Sequence, residues 1–366
     1  MLFLISFFQL VLLVQSLEPF VYDVNFAGAI GDGESDDTEA FKNAWYVVCS
    51  SYISSGIFRV PHGQKFLLQP LTFNGNYYYY FHIFFNFMIL FTKFRVIQID
   101  GILIAPSDPS SWKCKDTNCN NWITFQHFDG LIIQGTGSLH GQGQKWWKMG
   151  CIQNKVGFAI LDSKNVHISG LTSVNSRKWH ISIERSSFVH ASKLNIKAPK
   201  DSPSTDGIRI EHSTNVTLAS SIIKTGDDCI EIGDGSKYIN INRIFCGLGH
   251  GISIGSLGKN GRKETVEYVT IRRANFYTTK NGVRIKTWQG GHGYARHIRF
   301  ERLSFNRVTR PIIIDQYSCP THQRITAVEI SNILYNDLKG TTNSEIAVEI
   351  LCSESVPCKN IRMKDI

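Results

Sequence analysis

Short apolar–polar–apolar runs recur along most of this chain, beginning near Ile97, Leu131, Val166, Leu194, Val216, Ile239, Val269, Ile298, Val328 and Ile361. Asn165-Val166-His167-Ile168, Asn215-Val216-Thr217-Leu218 and Tyr268-Val269-Thr270-Ile271 share one form, a two-residue alternation that predicts a strand with one buried face. No helical period of matching length lies between the runs, which argues against a doubly wound α/β fold. A sandwich or propeller would give strands at similar density. Coils of unequal length with Asn and Gly at their corners suit a solenoid better, so the expected fold is all-β, a single-stranded parallel β-helix. Near the start, residues 21–24 predict an edge strand. Asp36-Asp37-Thr38 before Glu39-Ala40-Phe41-Lys42-Asn43-Ala44-Trp45 predicts an N-capped amphipathic helix that closes the open end of the solenoid.

Three of the strands follow glycine-flanked polar turns. Asp206 lies in Ser204-Thr205-Asp206-Gly207, ahead of Ile208-Arg209-Ile210. Asp227 and Asp228 lie in Thr225-Gly226-Asp227-Asp228-Cys229, ahead of Ile230-Glu231-Ile232. His250 lies in Gly247-Leu248-Gly249-His250-Gly251, ahead of Ile252-Ser253-Ile254. The turns recur every 21 to 23 residues. If each interval is one coil, the three carboxylates and the imidazole stack on one face, with neighbouring strands about 4.8 Å apart. Such a cluster suits acid–base cleavage of a polar substrate. No HExxH or His-x-His pattern accompanies it, so neither a metal nor any other cofactor is expected.

Composition changes the picture at three points. The net charge of +9 favours an acidic partner such as an anionic polysaccharide, and no nucleic-acid motif stands behind it. Residues 2–14 are almost wholly apolar and precede Val14-Gln15-Ser16, which predicts a secretory signal peptide over 1–16, an exported mature chain from residue 17 and no membrane span in it. Nine cysteines in an exported chain imply disulfides, and Asn215-Val216-Thr217 is a glycosylation sequon. Residues 76–94, a run of Phe, Tyr, Ile and Asn between two apparent β segments, break the surrounding pattern. All are residues of A/T-rich codons, and the segment reads as a translated intron.

Further along, Asn281-Gly282-Val283-Arg284-Ile285-Lys286-Thr287-Trp288 places Arg284 and Lys286 two apart, on the same side of a strand, where they would grip a substrate carboxylate. Thr205-Asp206-Gly207, Gly226-Asp227-Asp228-Cys229, Gly249-His250-Gly251 and Arg284-Ile285-Lys286 together resemble the four signature motifs of the polygalacturonases, glycoside hydrolase family 28, in their plant form. The resemblance implies a right-handed parallel β-helix and inverting hydrolysis of α-1,4-linked galacturonate in pectin. Asp227 resembles the family's proton donor, and Asp206 and Asp228 its water-activating pair. His250 would tune the donor or touch the sugar. An inverting pair calls for carboxyls about 6.5–9.5 Å apart, and mutual repulsion should raise one carboxyl's pKa. Asp227 and Asp228, being adjacent, need a turn or bulge to face one side.

Further expectations are His180 and Tyr317 as substrate-binding residues, and Gln289 and Gly290 as shapers of the cleft beside Lys286. Bridges are expected at Cys229–Cys246, Cys352–Cys358 and Cys114–Cys119, with Cys49, Cys151 and Cys319 lacking clear partners. The chain departs from the family pattern at Ser204 (usually Asn), Leu248 (usually Pro) and His140 (usually Asp), and at Ser318, where a tyrosine is common. The family usually continues beyond Ile366 with another coil. The reading is a secreted, monomeric, cell-wall pectin hydrolase, with a noncatalytic pectin-binding β-helix as the alternative.

Overall fold

A computed structural model describes residues 20–50, 56–75, 95–113, 121–149, 156–317 and 326–366. The signal segment, residues 76–94, Cys114, Cys119, Cys151, Ser318 and Cys319 lie outside the described residues. The chain winds into a parallel β-helix, and every pairing between strands of successive coils is parallel. One wall is a sheet of ten short strands. The other strands join into a second sheet that wraps the remaining sides. A single coil shows the plan: Ile181–Glu184 on the ten-stranded wall, then Ser187–Ser192 and Asn195–Lys197 on the other, then a turn back to Ile208–Glu211.

The alternation works as expected. Val166, Val189, Val216, Ile239, Val269, Ile298, Ile333 and Ile361 stack in register, and all but Ile361 are fully buried. Three expected positions differ: Val189 replaces Leu194, Ile333 replaces Val328, and Ile97 is in register with Ile133 instead of Leu131. Each coil carries two apolar runs on the second sheet, so spacing alone can pick the wrong one; Leu194 precedes the next strand of its coil, Asn195–Lys197. The residue before each stacked position turns the corner in the left-handed region: Asn165, Phe188, Asn215, Tyr238, Tyr268, His297, Asn332 and Asn360 have φ between 53° and 57°. Asn tolerates that conformation better than most residues, which explains the corner Asn.

The helix Thr38–Ser50 caps one end of the solenoid. Asp36 Oδ1 accepts from the Thr38 N–H at 3.2 Å, while Asp37 holds the Ile30 and Gly31 N–H groups at 2.7 and 3.2 Å. Its buried face, Phe41, Ala44, Trp45, Val48 and Cys49, covers the coil end. Trp45 meets Phe58 and Phe73 edge-on at 6.1 and 5.2 Å. Disulfides join Cys229 to Cys246 and Cys352 to Cys358. Among the described residues no helix is long and apolar enough to cross a membrane.

Candidate active site

The acids lie where four turns enter the ten-stranded wall. The strands Ile208–Glu211, Ile230–Ile232, Ile252–Leu257 and Asn281–Thr287 follow one another in register, so their outward residues form the row Ser182, Arg209, Glu231, Ser253 and Arg284. The turns just before them are tied by backbone bonds, Gly207 N–H to Asp228 O at 2.9 Å and His250 N–H to Asp227 O at 2.9 Å. Thr205 stitches the first two together, its hydroxyl accepting from the Gly226 N–H at 3.0 Å and meeting Ser202 Oγ at 2.6 Å. Gly226 cannot be larger, because a Cβ there would stand 2.0 Å from the Ser202 carbonyl oxygen.

Asp227 and Asp228 both face the groove. The Asp227 carboxylate folds back over the next N–H, accepting from Asp228 N at 2.9 Å, and meets His250 Nδ1 at 2.7 Å. Asp228, 6% exposed, accepts from Ser253 Oγ at 2.8 Å and receives Arg284 Nη2 on both oxygens at 3.2 Å. Arg284 Nε also donates to Ser253 Oγ at 3.1 Å. Arg284 is therefore first a clamp on Asp228, not a free cation. Atoms of Asp227, Asp228 and His250 that could ligate a metal lie within 4.8 Å of one another. Asp227 Oδ1 and His250 Nδ1 are bonded to each other, and Asp228 is bonded to Ser253 and Arg284.

The electrostatics divide these carboxyls. Burial, reinforced by Glu231, Asp228 and Asp227, pushes Asp206 well above the ordinary carboxylate range. Burial also raises Asp228, against the pull of Arg284. Burial would lift Asp227 as well, but its hydrogen bond and attraction to His250 outweigh it and hold the carboxyl low. The expected rise is present, on the water-activating candidates rather than on the donor candidate. Lys286 is half-buried and in register with Asp315, and burial with the nearby Arg284 lowers its pKa.

His180 is a correction. It is fully buried beneath the wall, Nδ1 bonded to Ser173 Oγ at 2.8 Å, and burial drives its pKa down to about 3. Its backbone N–H holds the Asp206 carbonyl at 2.9 Å, so it supports the turn and does not reach the groove. Tyr317 is exposed, and its hydroxyl donates to Cys352 O at 3.2 Å and accepts from Glu354 N at 3.3 Å, which ties it to the last coil. Gln289 and Gly290 follow the strand that carries Lys286, with the Gly290 N–H on Thr326 O at 2.7 Å. Asn215 is exposed on its strand, as a glycosylation acceptor must be. The altered positions have local consequences. Ser204 sits at φ 52°, a conformation that asparagine tolerates better. Leu248 sits at φ 73°, which a proline ring cannot adopt, so the turn before His250 differs in shape from one built on proline. His140 meets Ser138 Oγ at 3.1 Å, away from the acids.

Arg209 and Glu231 were missed as members of this group. Both occupy the polar position of an isoleucine-flanked strand directly after an acidic turn, and that alternation already placed them on the outer face. A groove of about 700 Å³ on the second sheet, lined by Tyr238, Tyr268, His297, Arg299 and Arg362, holds a single carboxylate, Glu301, and cannot host two-carboxyl chemistry.

Comparison with known proteins gives a consistent result. The sequence model described as Glycosyl hydrolases family 28 matches residues 49–366. A probable polygalacturonase of Arabidopsis thaliana is 43% identical over 350 residues, 94% of this chain and 72% of that one. A polygalacturonase of Persea americana is 39% identical over 344 residues, 91% and 70% of the two chains. In fold, the chain resembles an exopolygalacturonase of Thermotoga maritima, with a TM-score of 0.77 at 19% identity over 95% of this chain and 86% of that one.

Proposed function

Because this chain belongs to glycoside hydrolase family 28 and is thereby a glycoside hydrolase, we propose that it is a secreted polygalacturonase that cuts α-1,4-galacturonosidic bonds of homogalacturonan in the cell wall, with inversion. The observation that carries this reading is the contrast between neighbours: Asp227 bonded to an imidazole, Asp228 buried against a guanidinium. Adjacent carboxyls held by different partners can take different roles in one reaction.

In the proposed step, the proton on the Asp227–His250 hydrogen bond passes from the Asp227 carboxyl to the glycosidic oxygen as the bond to the anomeric carbon breaks. A water between Asp206 and Asp228 attacks that carbon from the other face and gives its proton to Asp228. The leaving chain departs as an alcohol and the new end carries the water oxygen, so charge and atoms balance. Lys286, with the outer edge of the Arg284 guanidinium, faces the uronate carboxylates.

The test is release of reducing ends from polygalacturonate, with the first-formed anomer read by proton NMR. Wild type should release β-anomer, and Asp227→Asn should release reducing ends roughly 10²–10⁴-fold more slowly. Binding without cleavage by the wild type would support the noncatalytic alternative, and an α-anomer would overturn inversion.

A further inference from the structure

We propose that the groove on the second sheet is a separate binding site for an anionic polysaccharide, where a uronate chain is held away from the acids. The choice of a uronate rests on the reading above, while the groove itself stands on its own geometry. Its space of about 700 Å³ crosses the strands Ser236–Gly247, Lys263–Arg272, His292–Val308, Glu329–Thr342 and Lys359–Lys364. Five adjacent layers give it a run of about 19 Å along the solenoid axis. Such a trough suits an extended chain rather than a compact molecule.

The corner residues make one wall. Tyr238 stacks on Tyr268 at 5.0 Å and Tyr268 on His297 at 4.8 Å, with the planes 18° and 5° apart. Stacking covers both faces of Tyr268 and leaves ring edges to the groove. Both tyrosines remain exposed. The floor is the row Asn240, Thr270, Arg299, Leu334 and Arg362, in register across the five layers. Beside it, Arg272 is in register with Glu301.

Charge is one-sided here. Among the described residues lining the groove, three guanidiniums stand against the single carboxylate of Glu301. Arg299 Nη1 is 3.9 Å from Glu301 Oε1, and Arg362 Nε donates to Asn360 Oδ1 at 2.9 Å. Arg272 Nε and Asn240 Oδ1 are shielded from solvent without a hydrogen-bond partner among the described residues. A donor and an acceptor left unpaired in one cationic trough call for a ligand that is both anionic and rich in hydroxyls.

Other polyanions fit less well. The three middle strands are paired on both sides, so no strand edge lies within the groove for a peptide backbone to join. A nucleic acid needs open aromatic faces for its bases, and those of Tyr268 are already covered. A polyuronate presents carboxylates at intervals with hydroxyls between them. Arg299 and Arg362, two layers and so about 10 Å apart, match the former, and the amides of Asn240 and Asn360 the latter. A chain held here stays close while the cleft on the other wall works on a second stretch, which raises the substrate concentration at the acids.

The test is calorimetric titration of Asp227→Asn, which spares the ligand, with oligogalacturonate long enough to span the groove. Adding Arg299→Gln and Arg362→Gln should weaken one class of site about tenfold, while a class sensitive to Lys286→Gln persists. A titration unchanged by the arginine pair overturns the proposal. The fully methyl-esterified chain carries no charge and should lose the arginine-sensitive class; equal binding there, read without altering the groove, also overturns it. So does polyaspartate that displaces the oligosaccharide at equal charge, because the groove would then be a surface for acidic polypeptides. A single class that responds to the arginine pair and not to Lys286→Gln, with no reducing ends released by wild type, would sink the hydrolase reading and leave the groove standing.

Discussion

His250 Nδ1 lies 2.7 Å from Asp227 Oδ1, and the same oxygen accepts the Asp228 N–H at 2.9 Å. Asp227 is thereby fixed in rotamer and joined to a group that can exchange a proton with it, so the two residues act as one acid. Asp227→Asn should lower kcat by roughly 10²–10⁴-fold with little change in KM, and His250→Ala should cost a smaller factor. The double variant should be no worse than Asp227→Asn alone, because groups that act as a unit are not additive. Steady-state kinetics on polygalacturonate checks this, and independent losses that multiply would break the unit.

Arg284 offsets the burial of Asp228. Arg284→Gln leaves that carboxylate buried and unpaired at neutral pH, at a cost of about 3 kcal/mol. Lowering the pH protonates Asp228 and removes most of the cost. Urea unfolding at neutral and acidic pH should therefore show a difference from wild type that shrinks on acidification. The acid limb of activity should move to higher pH in the same variant.

Asp206 has a folded-state pKa raised above its unfolded value. The folded protein then binds this proton more tightly than the unfolded chain does. Its contribution is fully present below the ordinary carboxylate range and is lost as pH rises through the raised folded value. Asp206→Asn should accordingly be more stable than wild type at neutral pH, by about 1 kcal/mol, and equal to it in acid. Thermal unfolding across pH measures the crossover, and the gain comes with loss of activity.

Leu248 holds a positive φ of 73° while the Gly249 N–H reaches back to Gly247 O at 3.0 Å, a strained three-residue turn directly before His250. Leu248→Gly keeps the turn and removes the Cβ penalty, so it should stabilise by about 1 kcal/mol and retain activity. Chemical denaturation with a parallel rate assay decides the matter. A loss of stability would mean that the leucine side chain contributes more by packing than it costs in strain.

The strands Leu71–Asn74 and Arg95–Ile99 are each paired in register with their neighbours on either side of residues 76–94. Deleting that segment, which the sequence marks as foreign to the repeat, should leave the fold intact and polygalacturonate cleavage unchanged. Circular dichroism and the reducing-end assay on the shortened chain would show it.

The fold was legible because burial on a stacked solenoid enforces two-residue alternation, and because Asn at 165 and 215 marks corners that need a left-handed residue. The acids were legible because close backbone approach at Gly226 and Gly249 leaves only glycine beside them. Other features were not. His180 reads as polar beside Trp179, and only the packed coil shows its ring turned inward onto Ser173. Arg284 and Lys286 read as equivalent cations two residues apart, yet one is spent on Asp228, a partner 56 residues earlier that no local pattern links to it. Glu231 read as the polar member of a strand, and its ion pair with Arg209 depends on register between coils.

The stacking itself has a dynamic consequence. Among the described residues each coil's strands bond to the coils above and below it, so opening proceeds inward from the outer layers. The strands after the acidic turns occupy the middle of the ten-stranded wall, several layers from either terminus. Amide hydrogens near Cys229 and Ile252 should exchange most slowly with deuterium, and those of Lys359–Lys364 among the fastest. Fraying of the outermost layers would then leave the groove aligned, so the enzyme should keep its turnover while its extremities are already melting.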